Sequence, residues 1–281
     1  MSPELAQTLT LVARISILVF VVGSMFALGL SLTMPQIVQP LKDRRRVALA
    51  LLANFVLVPA IAYGILLVIP MDEGVRIGLI LLATAAGAPF LPKLAEVARG
   101  DIAFSVGLML LLMVGTIVYL PLVLPYMLQG VEVNAAKIAQ SLVILMMIPL
   151  ALGLFLRARF EGLARKWQSP IVKLSNLALV LLTMLLVVLN FKNILSMIGM
   201  EGVGVVLFLV GALLAGLVLG GRSVAVRNVM GLGTGQRNIS AALVVAGQNF
   251  DDPKILVTLV VTAIVGLLIL MPVAAWLGKR S

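Results

Sequence analysis

The chain has 281 residues, 62% of them hydrophobic and 11% charged, with a formal net charge of +10. Soluble domains are about 45–50% apolar and about 25% charged, so this composition defines an integral membrane protein. Cysteine and histidine are both absent, which excludes disulfides, thiolate metal sites, the commonest metal ligand and the base of a Ser-His-Asp triad.

A spanning helix needs about 20 apolar residues. Hydropathy predicts about nine spans, at approximately 9–33, 46–70, 75–98, 102–125, 137–157, 170–191, 202–221, 225–248 and 254–277. The third and eighth are interrupted. The N-terminal "MSPELAQ" lacks the basic start of a signal peptide, and no small-residue cleavage site follows the first apolar run. The connections are short, and no segment alternates as a barrel strand does. The expected fold class is an all-α membrane protein forming a single unit over residues 1–281.

Loop charge sets orientation. "LKDRRR" (Leu41 to Arg46), "ARGD" (Ala98 to Asp101), "RARFEGLARKW" (Arg157 to Trp167), "GRSVAVR" (Gly221 to Arg227) and the terminal "GKRS" fall on one side and hold most of the 21 Lys and Arg residues. Glu4, "MDEG" (Met71 to Gly74), Glu132, Glu201 and "FDDP" (Phe250 to Pro253) fall on the other. The expectation is a multi-pass protein of the cytoplasmic membrane, with the N-terminus outside and the C-terminus cytoplasmic. The positive charge is then an orientation signal, and no nucleic-acid partner is expected.

The third span, "VRIGLILLATAAGAPFLPKLAEVARGD", is expected to break at Gly87, Pro89 and Pro92 and to resume with Lys93 and Glu96. Proline lacks the N–H and collides with the carbonyl four residues back. The eighth, "VRNVMGLGTGQRNISAALVVAGQNFDD", is expected to loosen at Gly231, Gly233 and Gly235. Backbone freed inside lipid must face protein or a wet cavity. Two interrupted, oppositely directed spans in the two halves point to the binding site of an inverted-repeat transporter.

"FALGLSLT" (Phe26 to Thr33), "NFVLVP" (Asn54 to Pro59), "ARGDIAFSVGL" (Ala98 to Leu108) and "GTGQRNISAAL" (Gly233 to Leu243) resemble, in order, the bile acid:sodium symporter family. Members commonly have ten spans, and the resemblance implies that the first span here is the equivalent of their second. The resemblance implies a core domain over approximately 46–125 and 202–277 and a panel domain over approximately 9–33 and 137–191. Interrupted spans three and eight would cross in the core, with substrate bound between core and panel and alternating access between them. It also implies two sodium sites near the crossing. At the corresponding positions this chain carries Leu91 and Pro92 for a Ser-Asn pair, Gly233 for a glutamate, Arg237 for a glutamine and Met109 for a threonine. Ser105 and Asn54 retain a suitable oxygen.

The expected function is alternating-access transport of a small organic anion, independent of sodium because Lys93 and Arg237 take the place of the ions. Glu96 is the expected acidic partner of Lys93 or Arg237. Asn238 matches an asparagine at the family's substrate site, and Thr234, Gln236, Arg237 and Lys93 are further substrate candidates. Asn176 and Asn190 read either as panel-side substrate contacts or as helix–helix hydrogen bonds, with the latter favoured. The alternatives are a sodium- or proton-coupled symporter with remodelled ion sites, an anion channel, or a non-transporting membrane protein. An enzyme is not expected, since only Ser105 with Lys93 resembles a catalytic pair. No cofactor or metal is expected, and the sequence leaves the oligomeric state open.

Overall fold

The structure, a computed structural model, describes residues 3–38, 42–128, 131, 133–196 and 199–280. Glu132, Leu41 and the side chain of Glu4, all used in the charge reading, lie outside the described residues. Among the described residues the regular structure is entirely helical.

Seven helices are long and apolar enough to span a bilayer. They are α1 (Pro3–Ser31), α2 (Arg44–Val68), α5 (Ile102–Met127), α6 (Ala135–Arg159), α7 (Glu161–Leu189), α8 (Met200–Leu219) and α11 (Pro253–Lys279). The two interrupted segments are each a pair of shorter helices. The first comprises α3 (Glu73–Thr84) and α4 (Leu91–Val97); the second comprises α9 (Val224–Gly235) and α10 (Ile239–Asn249).

The breaks differ in detail from the sequence expectation. Pro92 does not interrupt α4. It occupies the first turn, where a missing N–H is harmless. The first break runs from Ala85 to Phe90 and turns at Gly87, whose φ of +80° is a glycine conformation. A Cβ at Gly87 would also lie 2.6 Å from the Met109 carbonyl oxygen, so α5 passes directly against the break.

In the second segment Gly231, Gly233 and Gly235 are helical, and only Gln236 to Asn238 separate the two halves. These glycines permit close packing instead of loosening the helix. A Cβ on Gly231 would sit 2.5 Å from the Leu217 side chain, and one on Gly233 would sit 2.8 Å from that of Leu91.

Two groups of helices pack around the breaks. Helix α1 lies along α6 and α7. The broken segments pack with α2, α5, α8 and α11, with α3 beside α10 and α4 beside α9. Since the end of α3 also meets the start of α10, the two segments cross in opposite directions. Toward the start of α1, Ala13 and Ile17 are buried, and a Cβ on Gly247 of α10 would lie 3.5 Å from Ile17. Beyond Phe20 the two groups separate and leave a cavity between them.

Candidate functional site

The crossing has a defined polar centre. The last carbonyls of a helix have no intrahelical donor, and in lipid each must be satisfied by protein or water. Arg237 and Asn238 supply the donors. Arg237 Nε donates to the Leu82 carbonyl at 2.9 Å, and Nη2 donates to that of Ala83 at 2.9 Å. Nη1 donates to Asn54 Oδ1 at 2.8 Å and to the Thr234 carbonyl at 3.1 Å. The Asn238 backbone N–H donates to the Ala85 carbonyl at 3.0 Å, and its Nδ2 donates to those of Ala86 and Gly87. Asn238 Oδ1 accepts from the Ala241 N–H and so caps α10.

Arg237 is 7% exposed and has no carboxylate partner among the described residues. Its charge is instead held by the C-terminal ends of two half-helices, α3 and α9. A helix C-terminus carries about half a negative charge, so two of them converging on one guanidinium form a cation site made of backbone. Four of the five guanidinium N–H groups are occupied, and one on Nη2 is left. The side chain is therefore committed mainly to the crossing and offers a ligand one hydrogen bond.

Asn54 reaches this centre from a π-helical turn, Ala53–Leu57, within α2. Pro59 cannot donate to the carbonyl of Phe55, four residues before it. Tyr119 Oη of α5 takes that carbonyl at 2.6 Å, with its ring 4.7 Å from that of Phe55. Asn54 Nδ2 donates to the Ala50 carbonyl and to Thr234 Oγ1. Thr116, also on α5, donates to the Ala86 carbonyl and accepts from its N–H. Tyr119 and Thr116 escaped the sequence reading. The only signal was a polar side chain in the middle of an apolar span, and that does not say which break it serves.

The remaining predicted residues lie elsewhere. Lys93 Nζ pairs with Glu96 at 2.8 Å, and both side chains are more than half exposed. Neither shares a partner with Arg237, so the structure does not bring the second cation or the acid to this centre. Ser105 is buried and donates back to the Ile102 carbonyl. Gly233 faces the Leu91 and Leu108 side chains, both fully buried, with Met109 buried in the same core. Hydrocarbon thus fills the surroundings of Gly233.

The cavity beside the crossing has a volume of about 500 Å³. Its walls come from α1 and α7 on one side and from α8, α11 and both breaks on the other. Ala88 to Phe90 and Gly235 to Arg237 line it, as do Ile239 and Ser240 in the first turn of α10. Arg237 is the sole charged residue in that lining. Asn176 and Thr183 contribute polar groups from α7.

Long apolar helices, two broken segments crossing in opposite directions and a cavity at the crossing define an all-α membrane protein of the inverted-repeat transporter type. The model of the sodium bile acid symporter family matches residues 16–197, and the chain belongs to that family. A similar protein is the probable sodium/metabolite cotransporter BASS2, chloroplastic, of Oryza sativa subsp. japonica. It is 27% identical over 164 residues, covering 58% of this chain and 38% of the relative. The chain thus spans less than half the length of that relative. The family match ends before the second broken segment and so does not cover Arg237 and Asn238.

Proposed function

We propose that this protein carries a small organic anion across the cytoplasmic membrane by alternating access and that it does so without sodium. Helices α1, α6 and α7 act as the panel, and the broken segments with α2, α5, α8 and α11 act as the core. The carrying observation is the buried Arg237 guanidinium, set among three backbone carbonyls and Asn54 Oδ1 at the convergence of two helix C-termini. Such half-helix ends and unwound carbonyls coordinate the coupling cation in sodium-driven carriers. Here a covalently fixed cation already occupies them.

The other ion position implied by the family resemblance is closed in a different way. The glutamate position is Gly233, the serine position is Leu91, and the two are packed together. Hard cations need several oxygen ligands, and hydrocarbon offers none. Lys93 plays no part in this reading, because its charge is balanced by Glu96 away from the centre.

An anion is favoured on two grounds. Arg237 gives the cavity its charge, and the first turn of α10 presents the positive end of a helix dipole to it. Asn238 supports the site by positioning that turn rather than by direct contact, since both its Nδ2 hydrogens are used.

Uptake of radiolabelled organic acids into proteoliposomes, with sodium, potassium or choline as the cation, tests the proposal. Equal saturable uptake in all three salts is the expected result. Uptake that rises steeply with sodium alone refutes the fixed-cation reading.

A further inference from the structure

A second hollow lies on another face of α1. Ala27, Leu28 and Ser31 line the cavity at the crossing, whereas Phe26 and Leu30 face a groove of about 230 Å³ between α1, α6 and α7. Leu156 closes it from α6, and Leu163, Ala164 and Trp167 close it from α7. Every side chain in its lining is apolar. Leu30 and Ala164 are buried at its floor, and Leu163 and Trp167 stand half-exposed at its rim.

The end of this groove is strongly basic. Arg157 follows Leu156, and Arg165 and Lys166 lie between Ala164 and Trp167. Over Arg157 to Trp167 four cations, Arg157, Arg159, Arg165 and Lys166, meet one acid, Glu161. Glu161 pairs with Arg157 at 3.2 Å and also with Arg165. Arg159 and Lys166 have no ion pair among the described residues. Three positive charges are thus left unbalanced at the mouth of a hydrocarbon slot. Trp167 stands beside them, and tryptophan rings settle at the headgroup level of a bilayer.

This combination selects its ligand. A soluble anion would leave the groove unfilled. A chain without a phosphate would leave the cations unmatched, and a zwitterionic lipid brings its own positive charge. Guanidinium groups hold phosphate by paired N–H donors, and basic pockets between spanning helices hold anionic headgroups. We propose that the α6–α7 junction binds an anionic phospholipid, with one acyl chain in the groove and the phosphate on Arg159, Arg165 and Lys166. The bound chain packs against α1 from the side opposed to the transport cavity, one helix away from it.

The protein has two tryptophans, which makes a direct test possible. In Trp276→Phe only Trp167 fluoresces, and bromine on a lipid chain quenches it on contact. The variant is placed in phosphatidylcholine vesicles in which either phosphatidylglycerol or an equal fraction of the phosphatidylcholine carries brominated chains. Phosphatidylglycerol is expected to bind beside Trp167 at least about tenfold more tightly than phosphatidylcholine. Adding Arg165→Gln and Lys166→Gln, both exposed positions, should reduce that preference to about twofold or less. Lys279→Gln with Arg280→Gln, a basic pair at the end of α11, should leave it unchanged. Equal quenching by the two lipids makes the groove ordinary lipid contact and overturns the proposal. An equal loss of preference in the α11 pair assigns the effect to general surface charge, and a preference abolished by inorganic phosphate assigns it to a free anion; either overturns it as well. All of these outcomes leave the anion-carrier reading where it stands, because none involves Arg237.

Discussion

Replacing Arg237 by glutamine puts the fixed-cation reading at greatest risk. The guanidinium satisfies four acceptors: the carbonyls of Leu82, Ala83 and Thr234, and Asn54 Oδ1. A glutamine amide has two hydrogens and serves at most two of them. Two buried acceptors are then left, at about 1–3 kcal/mol each, so the variant should lose about 2–6 kcal/mol in potassium buffer. At about 2–4 °C per kcal/mol for a chain of this size, that is a fall in Tm of roughly 5–20 °C. The exchange also leaves five oxygens around the vacated volume, counting that of the new glutamine, and five oxygens are close to what a hard cation needs.

Sodium should therefore restabilise Arg237→Gln and leave the wild-type protein unchanged. At ten times its Kd, sodium returns about 1.4 kcal/mol by mass action, or roughly 3–6 °C. The assay is thermal unfolding in detergent across sodium–potassium mixtures at constant ionic strength. A variant as stable as the wild type in potassium, and indifferent to sodium, would refute the reasoning, because the arginine would then be holding nothing together.

Two further outcomes are expected. Gly233→Glu alone should abolish folded protein in size-exclusion assays, since its Cβ starts 2.8 Å from Leu91 and its carboxylate is buried without a partner. Adding Leu91→Ser, which opens space and supplies a hydroxyl, should recover at least half of the monodisperse yield. At the loop before α3, Asp72 accepts a 2.7 Å hydrogen bond from Lys254, which holds its carboxyl below the ordinary value of 3.8. A depressed folded-state value stabilises above the unfolded value and is lost as pH falls through the folded one. The Tm advantage of wild type over Asp72→Asn should thus be constant from about pH 5 upward and vanish at acid pH below 3.8.

The breadth of the fold was readable because lipid imposes a strong rule. Long apolar stretches become helices, and a glycine–proline cluster inside one becomes a break. Gly87 and Pro89 marked the first break correctly. The second was misplaced by several residues, because Gly231 and Gly233 carry the same composition signal whether they end a helix or let another side chain approach. Arg237 was singled out by its charge, yet its partners were not foreseeable. Backbone carbonyls leave no trace in a sequence, and the search for an acid led to Glu96, which Lys93 already holds. Thr262 carried no signal either: a threonine in an apolar span normally bonds its own helix, and only the structure shows this hydroxyl buried without a hydrogen-bond partner.

A cation that cannot leave has a consequence for energy coupling that can be measured by the sign of a current. A carrier that moves a monoanion with two sodium ions transfers one net positive charge per cycle, and a negative interior drives it inward. On the proposed reading Arg237 returns with the protein in every cycle and contributes nothing to net transfer. The substrate then moves alone as one negative charge. A potential of 100 mV acts on it with about 2.3 kcal/mol, which holds the anion at roughly fiftyfold lower concentration on the negative side. The protein would thus favour release from the negative compartment, or exchange of one anion for another. Proteoliposomes given an inside-negative potassium diffusion potential with valinomycin should release a preloaded organic acid faster than unpolarised ones, and reversing the potential should slow release. Release indifferent to potential would mean that a proton or a second ion accompanies the substrate, and uptake favoured by a negative interior would mean that sodium-type coupling persists despite Arg237.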